Sequence, residues 1–407
     1  MDRLTGTLHT YSWGSPTLIP HLQGRLPDGR PHAELWLGAH SAAPSHLEGD
    51  QQRLALDRVI AGDPTGELGA DTVARFGPRL PFLLKLIAAE RPLSLQTHPT
   101  TVQAQAGFAR EEAAGIPRDA PHRTYKDPHH KPELICALTD FEALCGFKPP
   151  GEAHRLITNL HLPALQPLAE ALRQPQDALR TAFTCALGWP RAELHRLTGD
   201  LATALDRMAA DEHAPLSAQE LHAHAALARS HPSDPGVLAA LLLHHVLLRP
   251  GEGLYLGPGI PHTYLRGLGV EIMAASDNVV RCGLTSKHVD IPELLNTVAF
   301  TPYRPYSLSP TAAHYGGEEA YAAAVADFRL SRYVFRGEAR SHRLRPGTAQ
   351  ILLCTHGQAD VTAPGRPTTT LSAGQAVFLP ARSAGVRLSA TQALVWRATT
   401  GMPPIGR

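Results

Sequence analysis

From Met1 to about Phe147 the chain runs in short apolar stretches separated by turn residues, among them Glu34-Leu-Trp-Leu-Gly38, Leu80-Pro-Phe-Leu-Leu-Lys-Leu-Ile87 and Leu134-Ile-Cys-Ala-Leu138. Apolar runs of this length, bounded by turn residues, predict β-strands. From Gly151 to about Ser230 the texture changes to Ala, Leu, Glu, Arg and His. There Leu194, Leu197, Leu201, Leu205 and Met208 recur at steps of three and four, which is one face of a helix. Pro163, Pro175, Pro190 and Pro215 punctuate this region about one helix apart, because proline fits a helix start and breaks an interior. Short apolar stretches return in Leu247–Leu256 and Val270–Ala274. From about Asp327 they alternate with turns at Pro346-Gly347, His356-Gly357, Pro364-Gly365 and Ala373-Gly374.

The pattern predicts a mainly β protein with an α-helical insertion. Its units fall at residues 1–150, 151–235, 236–325 and 326–407, the first and third forming one discontinuous β domain. Within the last unit, Gly374-Gln-Ala-Val-Phe-Leu379 echoes Gly251-Glu-Gly-Leu-Tyr-Leu256 at an offset of 123 residues, the mark of a faint internal repeat. At that offset His262 is answered by Gly385, which has no side chain to offer a metal, so only the first copy is expected to carry chemistry.

Composition narrows the function. The 407 residues exceed one ordinary domain, and 43% hydrophobic against 18% charged residues supplies material for packed cores. A formal charge of +1 leaves no global field for nucleic acid or an anionic membrane, so any anion must be caught locally. The 34 glycines and 36 prolines favour many short strands. Five scattered cysteines, none in a C-x-x-C pair, fit a reducing compartment, and the cytoplasm is the expected location. The most apolar stretch, Val237–Leu248, is short and broken by His244 and His245, so no membrane span is expected.

Three segments concentrate candidate chemistry. In Pro92-Leu-Ser-Leu-Gln-Thr-His-Pro99 a period of two puts Ser94, Gln96 and His98 on one face, where an amide oxygen and an imidazole can bind one cation. In Tyr125–Glu133 the carboxylate of Glu133 stands at the mouth of a strand, beside His130 as a proton carrier and Lys131 as a phosphate partner. In Leu256-Gly-Pro-Gly-Ile-Pro-His-Thr-Tyr264 a tight turn delivers His262 and Tyr264 to one face. It leads to Glu271, Asp277, Arg281 and Lys287, charges in apolar company that need partners or work. Each segment alone also reads as a polar strand face or a charged loop. Together, Gln96, His98, Glu133 and His262 offer two nitrogens and two oxygens with one formal negative charge. That set suits Zn²⁺, with Fe²⁺, Co²⁺ and Mn²⁺ as rivals.

These segments, with Ala33-Glu-Leu-Trp-Leu-Gly38, Pro81-Phe-Leu-Leu-Lys85, His130-Lys-Pro-Glu133 and Ser276-Asp-Asn-Val-Val-Arg-Cys-Gly-Leu-Thr285, resemble the type I phosphomannose isomerases, the zinc-dependent mannose-6-phosphate isomerases. The motifs stand in the family's order over nearly the whole chain. The resemblance departs where Thr97 replaces a common alanine and where Ser286-Lys-His288 lacks the usual proline. It implies two cupin-like jelly-roll β-barrels plus a helical domain, and one Zn²⁺ per chain bound by Gln96, His98, Glu133 and His262. It makes Arg281 the catalytic residue, and places Lys131, Tyr264, Glu271 and Asp277 at the substrate pocket, with Ser94, Lys85 and Lys287 as phosphate or pocket-wall contacts.

The reaction so implied is the interconversion of mannose 6-phosphate and fructose 6-phosphate through a cis-enediol, serving mannose use or nucleotide-sugar supply. Arg281 would stabilise developing charge with the metal, and Glu271 or the His130–Lys131 pair would move the proton. The expected partner is a small sugar phosphate, not nucleic acid or membrane, acting on a monomer or weak homo-oligomer. The alternatives are a cupin-type metal oxygenase, which the cations Lys85, Arg281 and Lys287 speak against, and a non-catalytic sugar-phosphate binder.

Overall fold

The run predicted at Leu80–Ile87 forms the strand Phe82–Ala89, buried along its whole length, as a continuous apolar run in a covered sheet should be. The computed structural model that contains it describes residues 1–48, 53–313 and 317–401. On one side this strand pairs with Glu34–Leu37, and on the other with the long strand His262–Ala274. The long strand changes partners along its length. His262–Arg266 lies against Phe141–Phe147 and, at His262, against Leu95–Thr97, whereas Gly267–Ala274 lies between Phe82–Ala89 and Glu133–Ala137. The switch falls at Gly267, whose φ of 123° and 2.7 Å approach of a would-be Cβ to the Asp140 carbonyl exclude a side chain. Val280–Gly283 then pairs with Leu95–Thr97. Segments far apart in sequence are thereby placed side by side.

The helical insertion follows the predicted stripe. Leu194, Leu197, Leu201, Leu205 and Met208 are all buried on the helix Arg191–Ala209, with Pro190 at its N-cap and Pro163 opening a short 3-10 turn. Burying such side chains contributes about 1.5–3 kcal/mol each. Their cluster includes Leu95, Leu144, Phe147, Val280, Cys282 and Leu284 from the strands, so the helices pack directly behind them. No helix among the described residues is long and apolar enough to cross a membrane, and the five cysteines are unpaired.

The second sheet is built on three long strands, with Arg387–Thr399 paired antiparallel between Arg329–Arg343 and Gln350–Thr362, and Ala376–Leu379 paired on the far side of Gln350–Thr362. It also takes Asp2–Thr5 from the chain's start, paired with Ala376–Leu379, and Thr311–Ala312 and Glu318–Ala320 from before residue 326. Sheet membership thus crosses the borders expected at 150 and 326. The cause is apolar, since Leu4 and Leu47 share a core with Phe378 and Trp396.

The echo in sequence recurs in structure. Gly251 and Gly374 both have positive φ, 92° and 81°, and each precedes a four-residue strand, Gly253–Leu256 or Ala376–Leu379. The registers correspond as well: Leu256 pairs with Glu133 as Leu379 pairs with Gln350, and Glu271 pairs with Lys85 and Ile135 as Arg397 pairs with Ser331 and Leu352. Lys85 faces Trp36, and Ser331 faces Ala320, two residues after Glu34 and Glu318 respectively. Glu34, Lys85, Glu133 and Glu271 of the first sheet are therefore answered by Glu318, Ser331, Gln350 and Arg397 of the second.

That second set closes on itself. Arg397 donates to Gln350 at 2.7 Å and to Glu318 at 2.9 Å, Ser331 donates to Glu318, and all four are buried. Arg397→Leu should leave the Glu318 carboxylate buried and unpaired, costing about 3–5 kcal/mol in urea unfolding. Replacing Glu318 and Arg397 together by leucine should recover most of that loss. Equal destabilisation by the single and double variants would sink this account of the cluster.

Candidate metal centre and its cavity

The pairing registers bring four predicted ligands to one point. Gln96 lies opposite His262 on one side and Arg281 on the other, while Glu133 faces Leu256 and Met273 at the end of its strand. Alternation along Leu95–Thr97 works as the sequence suggests, with Leu95 packed into the helical core and Gln96 turned to the cavity. His98 Nε2 stands 3.3 Å from one Glu133 oxygen, and His262 Nε2 stands 3.4 Å from the other. Ligand atoms of His98, Glu133 and His262 lie within 4.8 Å of one another, and all three residues are buried. The Gln96 amide group is adjacent, 3.5 Å from His262 Nε2, and accepts a hydrogen bond from Ser94 at 3.3 Å.

The hydrogen bonds fix the imidazole tautomers. His98 Nδ1 donates to the Asn278 carbonyl at 2.9 Å and His262 Nδ1 donates to the Ile260 carbonyl at 3.0 Å, which leaves each Nε2 turned toward Glu133. Burial, foremost, lowers the His98 pKa to about 4, which keeps this ring neutral. Burial pushes the Glu133 carboxyl up, but His98, Lys131 and His262 outweigh it and hold the group well below the usual carboxylate range. The neutral His98 ring therefore turns a lone pair toward the carboxylate, and its buried Nε2 has no hydrogen-bond partner, while the His262 Nε2 faces the second oxygen of the same carboxylate. A cation fits that set, and ligands of nitrogen and oxygen without sulfur suit Zn²⁺.

Above this floor opens a cavity of 1060 Å³, ample for a phosphorylated sugar. Ser94, Lys85, Lys131, Tyr264, Glu271, Asp277, Arg281 and Lys287 all line it. Tyr264 donates to one oxygen of Glu271 at 2.8 Å, and Lys85 stands 3.2 Å from the other oxygen and 3.7 Å from Glu34. Burial tends to strip the Lys85 charge, but Glu34, Glu271 and Glu133 more than restore it. Burial raises Glu271 first of all. Lys85 opposes that rise, and the nearby Glu133 and Glu34 reinforce it. Burial likewise pushes the Tyr264 hydroxyl well above its ordinary value, so it remains a donor. Lys131 stands 3.5 Å from Glu133.

One predicted residue lies elsewhere. His130 is absent from the cavity wall, because its Nε2 is held 3.0 Å from Asp327 at the second sheet. Lys131 and Glu133 line the cavity, whereas His130, in the loop before the strand Glu133–Ala137, reaches Asp327 instead.

The structure also adds residues that the sequence analysis did not single out. Lys126 joins Arg281 and Lys287 on the wall, and no carboxylate lies within ion-pair distance of these three among the described residues. Burial, then Arg281 and Lys126, lowers the Lys287 pKa. Trp36 lies under the Lys85 ammonium at 5.1 Å, and His40 holds Asp277 at 3.0 Å. Asn278, fully buried, orients His98 through its carbonyl. Its side chain takes the Lys126 N–H and donates to the carbonyls of Asp127 and His129. The Ser276-Asp-Asn278 run beside Asp277 was its only trace in the sequence.

Residues 1–150 match the family described as phosphomannose isomerase type I, catalytic domain. Over 95% of its length the chain is 36% identical to a mannose-6-phosphate isomerase of Escherichia coli, covering 96% of that protein. It is 30% identical to the mannose-6-phosphate isomerase of Bos taurus, with 93% of each covered. The fold superposes on a Salmonella typhimurium mannose 6-phosphate isomerase described as bound to substrate and a zinc atom, with a TM-score of 0.88 and 33% identity over 99% of this chain and 100% of that one. A zinc-bound mannose 6-phosphate isomerase gives the same score with 98% and 99% covered. Motifs, register and whole-chain likeness thus agree, and the chain belongs to the type I mannose-6-phosphate isomerase family.

Proposed function

We propose that this protein is a zinc-dependent mannose-6-phosphate isomerase that interconverts mannose 6-phosphate and fructose 6-phosphate in the cavity above His98, Glu133 and His262. The observation that carries this reading is the buried set His98, Glu133 and His262 under a cavity whose wall bears cations that are unpaired among the described residues. We read the two β units as the paired cupin-like jelly rolls of that family. The catalytic unit comprises residues 1–150 and 236–325, the insertion 151–235 and the second unit 326–407, with the early strands lent to the second sheet.

Gln96, His98, Glu133 and His262 would hold the metal, one per chain, which when bound supplies Lewis-acid polarisation of substrate oxygens. Lys287 and Lys126 hold the phosphate, and Arg281, whose strand register sets it against Gln96, donates to the oxygens at C1 and C2. Asp277, fixed by His40, and Ser94 orient hydroxyls at the rim. Glu271 is the group best placed to move the proton, since one oxygen is steadied by Tyr264 and its raised pKa suits a base that must later return what it takes. Removing the proton at C2 shifts its electron pair into the C1–C2 bond and charge onto O1. Returning that proton to C1 while the hydroxyl proton passes from O2 to O1 yields the ketose. Lys85 and Lys131 keep the surrounding carboxylates compensated while charge moves. His130, turned to Asp327, has no part in this step.

Chelation should abolish isomerisation in a coupled assay, added Zn²⁺ should restore it, and activity under argon should equal that in air. Loss of activity without O₂ would favour an oxygenase, and saturable sugar-phosphate binding without turnover would favour a binding protein. Glu271→Gln should lower turnover by about 10²–10⁴-fold with zinc retained. Glu271 must be deprotonated to act and its pKa is raised, so kcat/KM should fall as pH drops through a value above the ordinary carboxylate range. A Glu271→Gln enzyme with near-normal turnover and an unchanged acid limb would remove Glu271 from the role.

A further inference from the structure

The helical insertion reaches the cavity through one turn. Residues 230–234, at and just after the end of the helix Ala218–Ser230, line the cavity together with Thr285, Ser286 and Lys287. Asp234 ties this turn to the opposite backbone: one carboxylate oxygen accepts the Gly236 N–H at 2.8 Å and the other accepts the Thr285 N–H at 3.1 Å. Thr285 lies between the two cavity cations Arg281 and Lys287.

The seam beneath this contact is tight. A Cβ on Gly236 would come within 2.8 Å of the Leu284 nitrogen, and one on Gly283 within 2.7 Å of the Gly236 Cα. Ser233 and Leu284, at φ 74° and 55°, are two of the four non-glycine residues with positive φ among the described residues, and both line the cavity. Such residues persist where the surroundings over-determine them, and they cluster at ligand sites. The same segment sends Val280, Cys282 and Leu284 into the helical core while Arg281 lines the cavity.

We propose that Asp234 is a positioning residue for phosphate recognition: through the Thr285 N–H it fixes the arm from Arg281 to Lys287, which makes the helical insertion part of the substrate-binding machinery. This rests on the reading that Lys287 and Lys126 hold the phosphate. Asp234 touches no substrate itself. It sets the backbone from which the Lys287 side chain departs, and a charge-assisted hydrogen bond from the Thr285 N–H to a half-buried carboxylate is the means.

The test compares Asp234→Ala, Asp234→Asn and Lys287→Ala in steady-state kinetics, with inorganic phosphate as a competitive inhibitor and zinc content measured alongside. Asp234→Ala should raise both the KM for mannose 6-phosphate and the inhibition constant of inorganic phosphate by about tenfold. It should change kcat by less than about threefold and leave zinc in place. Asp234→Asn, which keeps one acceptor, should fall between it and the parent, and it carries the same test if the alanine variant does not fold. A lowered Tm with KM and phosphate inhibition unchanged in the Asp234 variants would make Asp234 merely structural and overturn the proposal. Unchanged phosphate inhibition in Lys287→Ala would instead remove the reading of the phosphate end on which it stands.

Discussion

Buried negative charge is the constraint around which this molecule is organised. Glu34, Glu133 and Glu271 are all buried, and the pairing of their strands leaves them no room to separate. An uncompensated carboxylate in such a place costs several kcal/mol. Lys85 answers two of them, lying between Glu34 and Glu271, and Lys131 approaches the third. The neutral His98 ring adds no positive charge beside Glu133, and a cation from outside is what the His98, Glu133 and His262 set can take up. The orientation of both rings through backbone carbonyls follows from that need.

The second sheet solves the same problem in the opposite way. At corresponding register positions it carries one carboxylate, Glu318, and brings its own cation, Arg397, with Gln350 and Ser331 completing the hydrogen bonds. Its cluster is neutral and closed, where that of the first sheet is open and short of positive charge. Corresponding strand registers thus carry two buried polar sets, and the charge at three positions, Lys85 against Ser331, Glu133 against Gln350 and Glu271 against Arg397, separates a candidate reactive site from a structural plug.

Much of this was legible in the sequence because it rests on local periodicity. A period of two placed Gln96 and His98 on one face, the turn before His262 announced its strand, and the stripe Leu194–Met208 announced its helix. Even the faint repeat at 123 residues falls on two real strands. What escaped depends on pairings between distant segments. The role of Asn278 needs the loop 126–129 beside it, Lys126 gains meaning only next to Lys287, and Asp2–Thr5 carries no sign that it will join a strand near residue 376. His130, which beside a lysine and a glutamate reads as a proton carrier, has its Nε2 against Asp327, a pairing 197 residues distant that no local pattern announces.

The alternation that points Lys85, Glu133 and Glu271 into the cavity points their neighbours the other way. Leu84, Leu86, Leu134, Val270 and Ile272 enter a core shared with Ile351, Leu353, Phe378 and Trp396 of the second sheet. Leu95, Leu144, Val280 and Cys282 enter the core of the helices. Each wall of the site is therefore backed by a different unit, and neither backing unit needs chemistry of its own to matter. A strand whose outer face is close-packed cannot shift its inner face without opening a void, and voids in such cores are costly. The helices and the second sheet hold the polar faces still by burying the apolar ones, which is why the ligand positions can be maintained around a charge deficit that would otherwise relax.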